Sequence, residues 1–180
     1  TLSGLGRFDE AVAATKKSVA LEPRNYKAYY NLGLNAALAA GDDKYKDTPQ
    51  GAAYKKEALE ALNWSIELGK NNDYIFFSRN DIENLKIIYT RLGAYREAAR
   101  VLELAIFWVD INNKPLFATK EKQWFLDAIS LYRTLRDTEG IVRVAEAFKE
   151  TVKNDENLIR DLDLIIEFAK QKNWEVLDTL

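Results

Sequence analysis

Apolar positions recur along this chain at spacings of three and four, the interval at which one face of a helix returns. From Phe8 the stripe is Ala11, Thr15, Ser18 and Val19, and Glu22-Pro23 ends it, because proline disfavours helical dihedrals before it and has no N–H to donate. A second helix places Tyr29, Leu32, Gly33 and Ala36 on one face. Glycine inside a helix costs about 1 kcal/mol against alanine, so Gly33 predicts a close packing contact. The stripe Ala58, Leu62, Ser65 and Ile66 marks a third helix. Between the second and third, Gly41 to Ala53 is polar and holds Pro49 and Gly51, which predicts a loop, open between a disordered insert and a binding segment.

Further on, Ile75 to Arg91 reads as a helix packing through Ile82, Leu85 and Tyr89, followed by one with Leu102, Ala105 and Ile106. Phe107 to Thr119, with Asn112-Asn113 and Pro115, reads as a connection. Lys120 to Arg136 packs through Phe125, Ala128 and Tyr132; an enlarged turn at Asp137 to Gly140 leads into a helix to Lys153 packing through Ile141, Val144, Phe148, Thr151 and Val152. Asn157 to Gln171 carries Leu158, Leu162, Ile165 and Ala169 on one stripe and Ile159, Leu164 and Ile166 on others, so it is apolar nearly all round. Either residues outside the sequence cover it or it is a partner surface. Asn173-Trp174-Glu175-Val176-Leu177 opens another helix.

Two stretches repeat: Leu5-Gly6-Arg7-Phe8-Asp9-Glu10-Ala11 and Leu92-Gly93-Ala94-Tyr95-Arg96-Glu97-Ala98. With the helix pairs around them they resemble the tetratricopeptide repeat family, whose units are helix hairpins of about 34 residues. The resemblance implies one all-α domain over 1–180, a right-handed α-α superhelix of antiparallel helix pairs, cut in mid-repeat at both ends. Lys86 stands where the family has glycine or alanine, and the 41–53 insertion interrupts the pattern. The family binds partners in a concave groove lined by first helices. The matching positions are Lys27, Tyr30 and Leu34, then Asn80, Glu83, Ile87 and Arg91, then Gln123, Leu126, Ser130 and Arg133. Asn31 matches one element of the carboxylate clamp some members use, but Glu83 would repel an acid, so an extended or helical segment held through Tyr30, Leu34, Ile87 and Leu126, flanked by Arg91 and Arg133, is the expected ligand.

Composition narrows the chemistry. With 180 residues, 47% hydrophobic, the chain can bury a substantial core. It has no cysteine and no histidine, which removes disulfides, thiolate nucleophiles, zinc-thiolate sites and the commonest acid-base group. No catalytic constellation, cofactor or metal site is read from it: Asp42, Asp43 and Asp47 lack calcium-loop spacing, and Asp161 and Asp163 lack a nucleophile beside them. Trp64, Trp108, Trp124 and Trp174 read as packing between helices. The net charge of −2 is uneven, since residues 137–180 hold 11 acidic against 6 basic residues, which argues against nucleic acid there. The expectation is a non-catalytic scaffold or adaptor for protein partners, with degenerate repeats suggesting a bacterial source. The alternative is a soluble appendage of a bacterial membrane enzyme of envelope polysaccharide assembly, and a third reading, an RNA binder, needs a basic groove. Compartment, cytoplasm or the outer side of a bacterial envelope, stays open, as do oligomeric state and partner identity.

Overall fold

The computed structural model describes residues 2–70, 78–107 and 122–180. Among them are α1 (Phe8–Leu21), α2 (Tyr26–Gly41), α3 (Pro49–Lys70), α4 (Arg79–Arg91), α5 (Tyr95–Phe107), α6 (Lys122–Thr134), α7 (Thr138–Thr151), α8 (Glu156–Lys170) and α9 (Trp174–Leu177), with a 3-10 turn at Ser3–Leu5 and no strand. The fold is all-α, as the hydrophobic period requires. The chain divides into two compact units, Thr1–Asp81 and Ile82–Leu180.

In the first unit, α1 and α3 both pack on α2. The stripe Ala58, Leu62, Ser65 and Ile66 is buried throughout, as are Leu32, Gly33 and Ala36. A Cβ built on Gly33 would lie 2.5 Å from Leu62 Cγ and 3.2 Å from its backbone nitrogen, so the glycine is there to let α3 come close. The α1 stripe is shifted: Ala11 and Val12 are buried, Thr15 and Val19 half-buried, and Ser18 exposed.

The 41–53 stretch departs most from its reading as a loop. Residues 49–53 are the first turn of α3, and only 42–48 connect the helices. Thr48 caps that turn, its hydroxyl accepting from Gly51 N–H at 3.0 Å, and Pro49 follows where its fixed φ and missing N–H do no harm. The connection is anchored rather than solvated. Tyr45 (7% exposed) and Tyr54 (5%) meet edge to face at 5.3 Å, and both hydroxyls donate to the Asp9 carboxylate on α1, Tyr45 at 2.6 Å. Gly51 is needed here as well, because a Cβ would come within 2.1 Å of the Tyr45 carbonyl oxygen.

In the second unit, three tight turns share one geometry. Gly93, Arg136 and Lys172 adopt left-handed φ of 70°, 54° and 54°, each two residues before the next helix begins. Around each, the residue after the left-handed one donates back five positions: Ala94 to Tyr89, Asp137 to Tyr132 and Asn173 to Phe168, at 2.8 to 2.9 Å. The left-handed residue itself donates back three, to Thr90, Arg133 and Ala169, at 2.9 to 3.0 Å. These are the paired bonds of a Schellman ending, which satisfy carbonyls a helix terminus leaves open. The turn at Asp137 is therefore tight, not enlarged, and α7 starts at Thr138, where Asp137 accepts from Gly140 N–H at 3.0 Å.

The core of this unit follows the expected stripes. Ile82, Leu85 and Tyr89 are 1%, 0% and 0% exposed, and Phe125, Ala128 and Tyr132 are 0%, 0% and 2%. Phe125 and Phe148 stack at 4.6 Å with their planes 8° apart. Gly140, within α7, lies so close to the Tyr132 ring that a Cβ would stand 2.4 Å from it. Thr151 is exposed and Val152, half-buried, lies just beyond the helix, so the α7 stripe ends at Phe148.

Candidate functional site

The candidate groove residues sit on first helices, and the structure assigns them different work. On α2, Lys27 is exposed near the N-terminal cap, while Tyr30 and Leu34 are half-buried one turn apart. Asn25 caps that helix, its side-chain oxygen accepting from Lys27 N–H at 2.9 Å. Asn31, the one clamp-like residue, is exposed on the same helix.

On α4, Ser78 and Asp81 form a reciprocal cap: Ser78 N–H donates to the Asp81 carboxylate at 2.9 Å, and Asp81 N–H donates to the Ser78 hydroxyl at 3.3 Å. This holds Asn80 exposed at the helix start. Glu83 faces α6, where it accepts from Trp124 Nε1 at 2.5 Å and pairs with Lys86 at 2.7 Å. Lys86 reaches Asp127 at 2.7 Å. Burial alone would pull the Lys86 ammonium down, but Asp127 and Glu83 more than offset it and hold it above the ordinary lysine value. Gln123 completes the set by donating to Asp127 at 2.7 Å.

Two of the eleven candidates, Glu83 and Gln123, thus belong to a network that ties α4 to α6. Arg133 is a third candidate bound within the fold, tying α6 to α9 through its Nη1, which donates at 2.6 Å to the Leu177 carbonyl. Ile87, 42% exposed, with exposed Arg91 and Ser130 and half-buried Leu126, keep their side chains toward open space. The exposed side of these two helices therefore carries Ile87, Leu126 and Ser130, with Arg91 at the C-terminal end of α4.

No family model, curated protein or solved structure matches the chain. Among the described residues no helix is long and apolar enough to cross a membrane, and no three acidic side chains gather closely enough to hold a metal ion.

The tryptophans divide. Trp124 is buried at 1% exposure, as a packing residue should be, and Trp174 is half-buried with Arg136 over its ring at 5.1 Å. Trp64 is 58% exposed and leans on Tyr29 at 6.4 Å between centroids, so packing does not account for it. Trp108 lies outside the described residues.

Sequence reasoning missed the Asp9 node altogether. Its carboxyl is held below the ordinary aspartate value first by the Tyr45 hydroxyl and then by that of Tyr54, with Lys44 adding to both. The only signal was the pair of tyrosines nine residues apart on either side of Thr48-Pro49, a helix-start motif.

Proposed function

We propose that the chain is a non-catalytic helical-repeat scaffold of the tetratricopeptide kind, and that it holds a segment of a partner protein in a groove lined by the exposed faces of α4 and α6. One observation supports this above others. The Schellman hairpin recurs in the second unit with the same buried positions, so that α4 and α6 each bury one stripe and leave the opposite stripe, with Ile87, Arg91, Leu126 and Ser130, facing outward. Stacked hairpins of this kind make extended surfaces suited to an extended or helical ligand. The stacking of the hairpins into a right-handed superhelix is part of the proposal.

Ile87 and Leu126 supply apolar anchors, and Arg91 supplies charge at one end. Residues such as Glu83, Gln123 and Arg133 act by holding the helices in register rather than by touching the ligand. The test is recovery of partners from extract with an Ile87→Ala, Arg91→Glu variant against the parent chain. Loss of a specific partner is the expected result, and unchanged recovery of every partner would remove the groove.

A further inference from the structure

The Asp9 node fastens three segments that are far apart in the chain. Asp9 stands in the first turn of α1, Tyr45 in the 42–48 connection and Tyr54 in the second turn of α3, so the two phenols come from 36 and 45 residues away. Tyr45 donates to Asp9 Oδ2 at 2.6 Å and Tyr54 donates to Oδ1. Lys44 donates to the Tyr45 hydroxyl at 2.6 Å and stands 3.6 Å from Oδ2. The two sides of the node differ. Both tyrosines are buried and held from behind: their rings meet edge to face, the Tyr45 carbonyl lies against Gly51, and Gln50 hydrogen-bonds Tyr54. The Asp9 side chain, by contrast, is 58% exposed.

The chemistry of the node calls for a carboxylate. Each Asp9 oxygen accepts from one phenol, and the Tyr45 hydroxyl already accepts from Lys44, which leaves its own proton to be given to Asp9. A protonated carboxyl, or an amide in its place, offers one acceptor oxygen and one donor. One phenol proton then faces a donor, and a buried hydroxyl without its acceptor is costly. The charge that closes the node sits on its exposed member, where solvent protons reach it.

We infer that the node is a latch set by the ionisation of Asp9: the charged carboxylate holds the start of α1, the 42–48 connection and the start of α3 as one body, and its neutralisation lets those three segments open together while the α2–α3 interface around Gly33 stays closed. Segments that open as a unit below the global unfolding free energy are a general feature of folded chains, and here one side chain joins the unit. The groups that face Asp9 are Tyr45 and Lys44 from the connection and Tyr54 from α3, with Glu10 and its partner Arg7 beside it on α1. The two phenols first, and then Lys44, hold the carboxyl below its ordinary 3.8 against the effect of desolvation. The latch is therefore complete above that value and released as pH falls through the lower folded one.

Hydrogen exchange of the 180-residue chain, followed by mass spectrometry at neutral pH, tests the latch. Asp9→Asn should speed exchange of the amides of residues 8–12, 44–48 and 51–55 at least tenfold and leave those of residues 62–69 and of the second unit unchanged, with circular dichroism confirming that the chain is folded. Glu10→Gln removes the neighbouring first-turn charge without touching either tyrosine, and should leave residues 44–55 unchanged. In a chain carrying Tyr45→Phe and Tyr54→Phe, Asp9→Asn should add nothing, which separates a latch from a general loss of helix stability. Without any substitution, protection of residues 44–48 relative to the intrinsic exchange rate should fall toward that of Asp9→Asn as pH is lowered below 3.8. Unchanged exchange at 44–55 in Asp9→Asn, or acceleration spread evenly over α1, α2 and α3, overturns the inference. So does an Asp9→Asn effect that persists in full without the two hydroxyls, or a parent chain that keeps its advantage over Asp9→Asn in acid.

Discussion

Replacing Gly33 by alanine tests the close approach of α2 and α3. In an uncrowded helix the change stabilises by about 1 kcal/mol. Here the new methyl would fall 2.5 Å from Leu62 Cγ, 2.6 Å from its Cδ2 and 3.2 Å from its backbone nitrogen. Leu62 cannot swing aside, because it is fully buried among the α2 and α3 side chains. Overpacking of this kind costs about 1–3 kcal/mol, which offsets the helix term and leaves Gly33→Ala destabilising by up to about 2 kcal/mol. Urea unfolding followed by circular dichroism reads this as a lower midpoint with an unchanged slope. The cycle with Leu62→Ala sharpens it. That change alone costs about 2–5 kcal/mol through the cavity it leaves, but it also removes the clashing atoms, so Gly33→Ala should be neutral or favourable in its background. A Gly33→Ala chain more stable than the parent, or additive effects in the cycle, would refute the close approach.

Other perturbations probe the turns and the buried groups. Lys172→Gly should raise stability by up to about 1 kcal/mol, because a non-glycine left-handed residue costs about 1–2 kcal/mol and glycine's extra unfolded-state freedom returns part of that; Arg136→Gly should not, since it gives up the paired bonds to Asp178 and the Trp174 ring. Asp137→Ala should cost about 1 kcal/mol at neutral pH through loss of the α7 cap. The Gly140 N–H and Arg96 hold the Asp137 carboxyl below its ordinary 3.8 despite partial burial, so its contribution is complete above that value and disappears as pH falls through the lower folded one; parent and variant should draw together in acid unfolding as pH falls below 3.8. Tyr132 is pushed up to about 12, first by burial and then by Glu103. The fold therefore favours the neutral phenol, and stability should fall as pH rises from 10 to 12 by up to about 1.4 kcal/mol per unit. Tyr132→Phe should reduce that slope without opening the contact with Gly140, and buried Tyr89, raised in the same direction, keeps the remainder.

The buried stripes could be read from the chain because burial imposes a period, and Ile82, Leu85 and Tyr89 or Ala58, Leu62 and Ile66 keep it without interruption. Three kinds of feature could not. A turn that uses glycine at position 93 uses Arg136 and Lys172 at the equivalent places, where nothing in the residue type announces a left-handed backbone. Gly140 reads as a breaker, yet it lies inside α7 because the Tyr132 ring occupies the space a side chain would need. Pro49 and Gly51 read as loop residues, whereas proline in a first turn and a glycine under a carbonyl oxygen are compatible with the helix they begin. The site was legible as a set of faces but not as a set of free side chains. Helical spacing puts Asp127 one turn from Gln123, but gives no indication that Trp124 is within reach of Glu83 or the Leu177 carbonyl within reach of Arg133.

A photo-crosslinking residue placed at position 87, against one at Arg100 on the exposed side of α5, tests most directly whether partners use the first-helix face. Irradiation of the folded chain in extract should give a discrete covalent adduct from position 87, reduced by Arg91→Glu, and none from position 100. Adducts from position 100 with none from position 87 would contradict the proposal.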